Sequence, residues 1–263
     1  MSCVRVYTVR AALAMIFALR IGAQGMDPVH LPFQCRDEEL QRAGMDCSED
    51  NPCPVYLELN AVSRDGHKLF AAGNLHSRSA TLDSVLLTSL DEGVTWKEAA
   101  DRIPGAALDL IQFYDLQHGW ASGETQDPLP RDPFILVTGS GGDTWHRSPV
   151  SEAGSPGTIL SFRFDSASHG ELVVDAGITA SSGRYHSYES ETGGDSWTIR
   201  GTATKLPDSR EPAENRDLRI RASKDGKLWQ IEQRDTQGSG DRWTAAASFL
   251  IEVASCSGAQ ETK

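Results

Sequence analysis

The chain has 263 residues, 39% hydrophobic and 24% charged, with 24 glycines, 12 prolines and a formal net charge of −12. That length supplies one large domain or two small ones, and 37 acidic against 25 basic side chains argue against nucleic acid held on a broad basic surface. Collagen, coiled coil and a polytopic membrane protein are excluded, because the single apolar run stands at the very start.

Residues 1–25 read as a secretory signal, with Arg5 and Arg10 before the apolar core Ala11 to Leu19 and the small-residue stretch Ala23-Gln24-Gly25 after it. The core is too short to span a bilayer, and Arg20 beside it is unusual for a signal. The expected location is periplasmic or extracellular. Four cysteines follow: Cys35, Cys47, Cys53 and Cys256. An even set in an exported chain points to two disulfides in one of three connectivities. Zinc is the competing reading, but there is no C-x-x-C and no His within three to five residues of another. The expected pairs are Cys47–Cys53, closing a small Pro-containing loop, and Cys35–Cys256, closing a long one that stabilises by about 4 kcal/mol in the loop-entropy model.

A repeat of about fifty residues dominates the rest. Three segments share one pattern: Ser89, Asp91, Gly93, Thr95, Trp96; then Thr138, Ser140, Gly142, Thr144, Trp145; then Ser190, Thr192, Gly194, Ser196, Trp197. Their tryptophans are 49 and 52 residues apart, and Phe113 to Gly119 matches Phe164 to Gly170 in the same phase. Gly66, Gly119, Gly170 and Gly226 mark four units. Within a unit the reading is β throughout: Leu108 to Phe113 and Thr158 to Phe164 as first strands, a His-Gly turn, Gly119 to Gly123 and Gly170 to Val174 as second strands, and Phe134 to Val137 as a third. The Trp segment opens the fourth. The predicted fold is all-β, a β-propeller of about four four-stranded blades. A partial propeller that dimerises is the alternative.

In the Trp motif, hydroxyl and carboxylate side chains bond backbone amides within a turn, Gly accepts positive φ, and the indole packs beside it. These fifteen residues are therefore read as structural. The segments resemble Asp-boxes, the S-x-D-x-G-x-T-W repeats of BNR and sialidase-like propellers. His118-Gly-Trp-Ala-Ser-Gly-Glu124, Phe134 to Thr138 and Gly141 to Trp145 bring the likeness nearer to the Ycf48-like, photosystem II assembly factor branch. It covers roughly residues 55–258. Only the first box keeps its Asp, Asp91; Ser140 and Thr192 replace it elsewhere, which predicts weaker capping of those turns.

In the last unit Gly226 and Gly240 are too close for a full blade. Lys227 to Arg234 and Trp243 to Val253 are read as its second and third strands. The missing outer strand is expected from the N-terminal segment, near Leu31 to Gln34, with Cys35 beside Cys256. The organisation is then a signal at 1–25, a ring-closing segment at 26–54, the propeller at 55–258 and a tail at 259–263.

Candidate chemistry is sparse. A sialidase needs arginines on a carboxylate and a Tyr–Glu pair. Arg102-Ile103-Pro104 follows a box instead of preceding it and reads as a linker, while Tyr185, Tyr188, Glu189 and Glu191 fit strand periodicity. His118 and His169 occupy equivalent turns, and no phosphate loop, metal set or cofactor site is evident. Arg216, Arg219 and Arg221 form a basic stripe; a solvated strand face explains it, and the resemblance offers a binding role. The expectation is an exported, non-catalytic scaffold whose partner is an exported or membrane protein, with glycan binding or sialidase-type hydrolysis as the alternative.

Overall fold

The computed structural model describes residues 27–126, 128–178, 180, 183–207, 217–235 and 242–257. The signal region, Arg216 and the 259–263 tail lie outside them. No helix among the described residues is long and apolar enough to cross a membrane.

Among the described residues sixteen strands build four antiparallel sheets. The first contains β1 (Cys53–Asp65), β2 (Lys68–His76), β3 (Thr81–Ser89) and β4 (Lys97–Glu98). The second contains β5 (Ala106–Phe113), β6 (Gly119–Gln126), β7 (Pro130–Thr138) and β8 (His146–Pro149). The third contains β9 (Thr158–Phe164), β10 (Gly170–Asp175), β11 (Tyr185–Ser190) and β12 (Thr198–Ala203). The fourth contains β13 (Leu218–Ala222), β14 (Leu228–Arg234) and β15 (Trp243–Leu250). Each outer strand of the first three begins directly after its box tryptophan, as the repeat requires. A helix, α1 (Asp37–Arg42), lies in the N-terminal segment. The fold is a β-propeller.

Two details correct the sequence reading. The expected third strand Trp243 to Val253 breaks at Ile251, whose N–H bonds Lys227 O and whose carbonyl accepts from Leu57 N. Beyond this crossing, β16 (Glu252–Cys256) leaves the fourth sheet and pairs with the start of β1, making the first sheet five-stranded. In exchange the N-terminal segment reaches the fourth sheet through Val29, two residues before the expected stretch. It makes a single parallel bridge to Phe249, bonding Ser248 O and Leu250 N. Cys35 is bonded to Cys256, so the two exchanged segments are covalently joined, and Cys47 is bonded to Cys53.

The sheets are glued by three apolar clusters. One joins the fourth sheet, the first sheet and the N-terminal segment through Leu31, Val55, Leu57, Leu218, Ile231 and Phe249. The next joins first to second through Ala72, Leu86, Leu108, Phe134 and Leu136. The last joins second to third through Trp120, Ile135, Val137, Phe162, Phe164 and Leu172. Among the described residues no such cluster joins third to fourth, and no strands of these two sheets pack together as those at the other junctions do. Among the described residues the four blades are joined at three junctions, and the face of the third sheet toward the fourth is left open.

Candidate functional site

The boxes explain why three junctions close. In the first, Ser89 Oγ accepts from Gly93 N at 2.7 Å, while Asp91 accepts from Thr95 N at 2.8 Å and from Thr95 Oγ1 at 2.6 Å. These bonds, the Thr95 hydroxyl foremost, hold the Asp91 carboxyl below its ordinary range. In the other boxes Ser140 and Thr192 take over the same partners: Thr144 N and Ser196 N donate to their hydroxyls at 3.0 and 2.9 Å. The geometry of the turn is retained without the carboxylate, so the predicted weakening is limited to loss of its charge. Trp96 and Trp145 donate to Gly93 O and Gly142 O, whereas buried Trp197 Nε1 has no partner among the described residues.

Each box packs against the preceding sheet: Gly93 of the first lies against the Ala246 backbone, and the other two lie under rings. Gly142 (φ +85°) lies under Phe70, where a Cβ would come within 2.4 Å of the ring, and Gly194 (φ +96°) lies against Trp120. Trp120 stacks on Phe164 at 3.7 Å and donates to Gly193 O at 2.7 Å. Beside it, Gln112 clamps Phe164 by accepting from its N–H and donating to its carbonyl.

Register shows what replaces these groups on the third sheet. Phe70 pairs with Thr88, Trp120 with Val137 and Glu171 with Glu189, in each case the residue immediately before the first box residue. Likewise Ser63, Gln112 and Arg163 are equivalent. Where the second sheet presents Gln112, Trp120 and Val137 to its neighbour, the third presents Arg163, Glu171 and Glu189. It is a polar end face. The side of the fourth sheet turned away from its apolar cluster is also polar, with Arg219 and Arg221 opposite Glu232 and Gln230. Arg219 pairs with Glu232 at 2.6 Å and lies 4.0 Å over Trp243; Arg221 is exposed.

The open face of the third sheet carries a groove of about 540 Å³ lined by Arg163, Glu171, Tyr188, Glu189, Arg200 and Pro207, among others. A chain of ionic contacts runs along its rim. Asp165 Oδ1 lies 2.8 Å from His169 Nδ1, His169 Nε2 lies 3.1 Å from Glu189 Oε1, and Glu189 Oε2 pairs with Arg200. Asp165 first and Glu189 second push the His169 imidazole above its ordinary range; His169 and then Arg200 hold Glu189 below its own.

The hydrolase candidates are scattered. Tyr188 and Glu189 both border the groove, but as neighbours on β11 their side chains leave opposite faces of the strand, Tyr188 packing against the cluster shared with the second sheet. Tyr185 lies under the Arg184 guanidinium. Arg102 reaches Glu98 and Pro32 O, tethering the N-terminal segment. His118 bonds Asp115 in the turn equivalent to that of His169.

One acid pair escaped sequence reasoning. Asp109 stands in a β5 bulge that Asn60 Nδ2 reaches at 3.1 Å, and buried Glu124 on β6 accepts from Gln126 Nε2 at 2.8 Å. Burial, then the Asp109 charge, pushes Glu124 up to about 8; burial likewise raises Asp109. Only the register across the bulge brings the two acids together. Glu124 is 2% exposed and lies outside the third-sheet groove described above. Because its folded pKa lies above the unfolded one, the stability it contributes is full below pH 4.5 and is lost as pH rises through about 8. Glu124→Gln is expected to flatten that decline and to be the more stable protein at pH 9 by about 2 kcal/mol. Parallel urea curves at pH 5, 7 and 9 check this.

No family model and no curated relative matches the chain. Similar solved structures include Ycf48 bound to a D1 peptide, at 14% identity and a TM-score of 0.37, covering 76% of this chain and 68% of that one. They also include the phage phi92 endosialidase, at 11% and 0.44, covering 69% and 41%. The α-L-arabinofuranosidase Arb93A from Fusarium graminearum matches at 11% and 0.38, covering 76% and 62%. The likeness to Ycf48 and to sialidase-like propellers is one of fold. The chain spans less than two thirds of the length of the two hydrolases.

Proposed function

We propose that this is an exported, non-catalytic propeller scaffold that holds a protein partner on the open face of its third sheet, in the periplasm or outside the cell. One observation carries the reading: an unstacked blade face with a groove of about 540 Å³, on a rigid β floor, whose polar groups are fixed by one another. Glu124, the acid whose titration is most strongly displaced among the described residues, is buried at 2% exposure and lies away from this groove. The two disulfides support an oxidising compartment, with residues 1–25 as the export signal, 26–54 as the clasp that closes on the C-terminus, 55–258 as the propeller and 259–263 as a tail. The peptide in the Ycf48 structure is a property of that protein; here the support is the groove.

The test compares capture from the cell envelope by the wild-type protein and by the doubly reversed Arg163→Glu/Arg200→Glu variant. Both side chains are at least partly exposed, so the fold is retained. A protein held by the wild type and by a surface control, Lys97→Glu, is expected to fall at least tenfold on the double variant. Sialoside or arabinoside turnover abolished by the same reversal would overturn the reading in favour of the hydrolase alternative.

A further inference from the structure

We propose that His169, Glu189 and Glu191 form a binding site for a divalent transition-metal ion at the rim of the third sheet. The three residues each offer one ligand atom, and these atoms lie within 4.8 Å of one another. They come from two adjoining places in the fold: His169 closes the turn between β9 and β10, while Glu189 and Glu191 stand at the end of β11. Spacing rules for zinc miss the set because its ligands meet across strands.

The surrounding bonds orient it as a metal site requires. Asp165 engages Nδ1 of His169 at 2.8 Å, which leaves Nε2 as the outward donor, the carboxylate–histidine arrangement that fixes tautomer and ring direction in metal centres. Glu189 divides its oxygens: Oε2 pairs with Arg200, and Oε1 lies 3.1 Å from Nε2. Two ligands held cis at about 2.1 Å from one ion stand about 3 Å apart, so this pair needs no rearrangement. Glu191 is exposed and free to swing the remaining distance. One imidazole with two carboxylates suits Zn²⁺ or Mn²⁺ better than Ca²⁺, which takes six to eight oxygens.

The repeat supplies an internal comparison. His118 occupies the same turn of the second sheet and has its own carboxylate, Asp115, on Nδ1 at 2.9 Å. At the positions of Glu189 and Glu191 the second sheet has Val137 and Gly139. The oriented histidine therefore belongs to the blade architecture, while the two acids occur only where the face is open. This inference stands independently of the partner reading.

The experiment is a Zn²⁺ and Mn²⁺ titration of the EDTA-dialysed full-length protein by calorimetry, with X-ray absorption on the loaded sample. One saturable site per chain with nitrogen and oxygen ligation is expected. Affinity falls at least tenfold in His169→Ala and in Glu191→Gln, falls roughly 10–100-fold in Asp165→Asn, and is unchanged in His118→Ala. Glu191→Gln alters an exposed side chain and leaves folding intact, so it decides the matter if His169→Ala is unstable. Absence of a saturable site, or equal affinity in wild type and Glu191→Gln, overturns the proposal.

Discussion

Replacing Trp120 by alanine is expected to cost about 4 kcal/mol, within the usual range for deleting a buried aromatic side chain. The indole is 1% exposed, lies flat on Phe164 and donates to Gly193 O, so the change opens a cavity and strips a buried carbonyl of its donor. Trp120→Phe keeps much of the stack and loses the bond, for about 1 kcal/mol. The informative partner experiment is Glu171→Ala. Glu171 occupies the same register position one blade later, is exposed among the described residues, and its removal is expected to change stability by less than about 0.5 kcal/mol. Denaturant midpoints for the three variants measure this. A large loss in Glu171→Ala would mean that the third sheet is covered in solution.

Reducing the long-range disulfide is the other large effect. Cys35→Ser with Cys256→Ser is expected to lower stability by about 4 kcal/mol, since the bond joins residues 221 apart. Cys47→Ser with Cys53→Ser, across a separation of six, costs about 2 kcal/mol on the same entropic argument. Beyond its effect on the unfolded chain, the longer bridge ties β16 to the N-terminal segment. Hydrogen exchange in the double variant should therefore rise first at Val29 and in β16, and stay unchanged around Trp120. Equal losses from the two bridges would contradict the assignment of the clasp to Cys35 and Cys256.

The repeat made much of the architecture legible, because Trp96, Trp145 and Trp197 recur in phase with the His-Gly turns and each announces an outer strand. Pattern reading stopped where the decisive facts were relations between blades. The alternation in Glu171, Val173 and Asp175 reads as an ordinary half-buried strand; only alignment with Phe70 and Trp120 shows that an aromatic anchor has been exchanged for a charge. The crossing at Ile251 was hidden for a related reason. Trp243 to Val253 is one run of strand-forming residues, and its division depends on the distant amide of Leu57. The Asp109–Glu124 pair and the His169, Glu189 and Glu191 set likewise arise from register, which a single sequence does not print. In sequence Arg219 reads as part of a basic stripe on a solvated strand face; its partners Glu232 and Trp243 come from neighbouring strands.

The pairing of the last described strand with the first dictates an order of assembly. A polypeptide threaded out amino-terminus first can complete its second and third blades from contiguous residues as they emerge. Its first blade must wait for residues 252–256, the last described strand to emerge, before the inner edge is sealed. A stalled or clipped product would therefore display a raw β edge and an unmated Cys35 thiol together, two features by which quality-control proteases and thiol oxidoreductases can distinguish unfinished chains from finished ones.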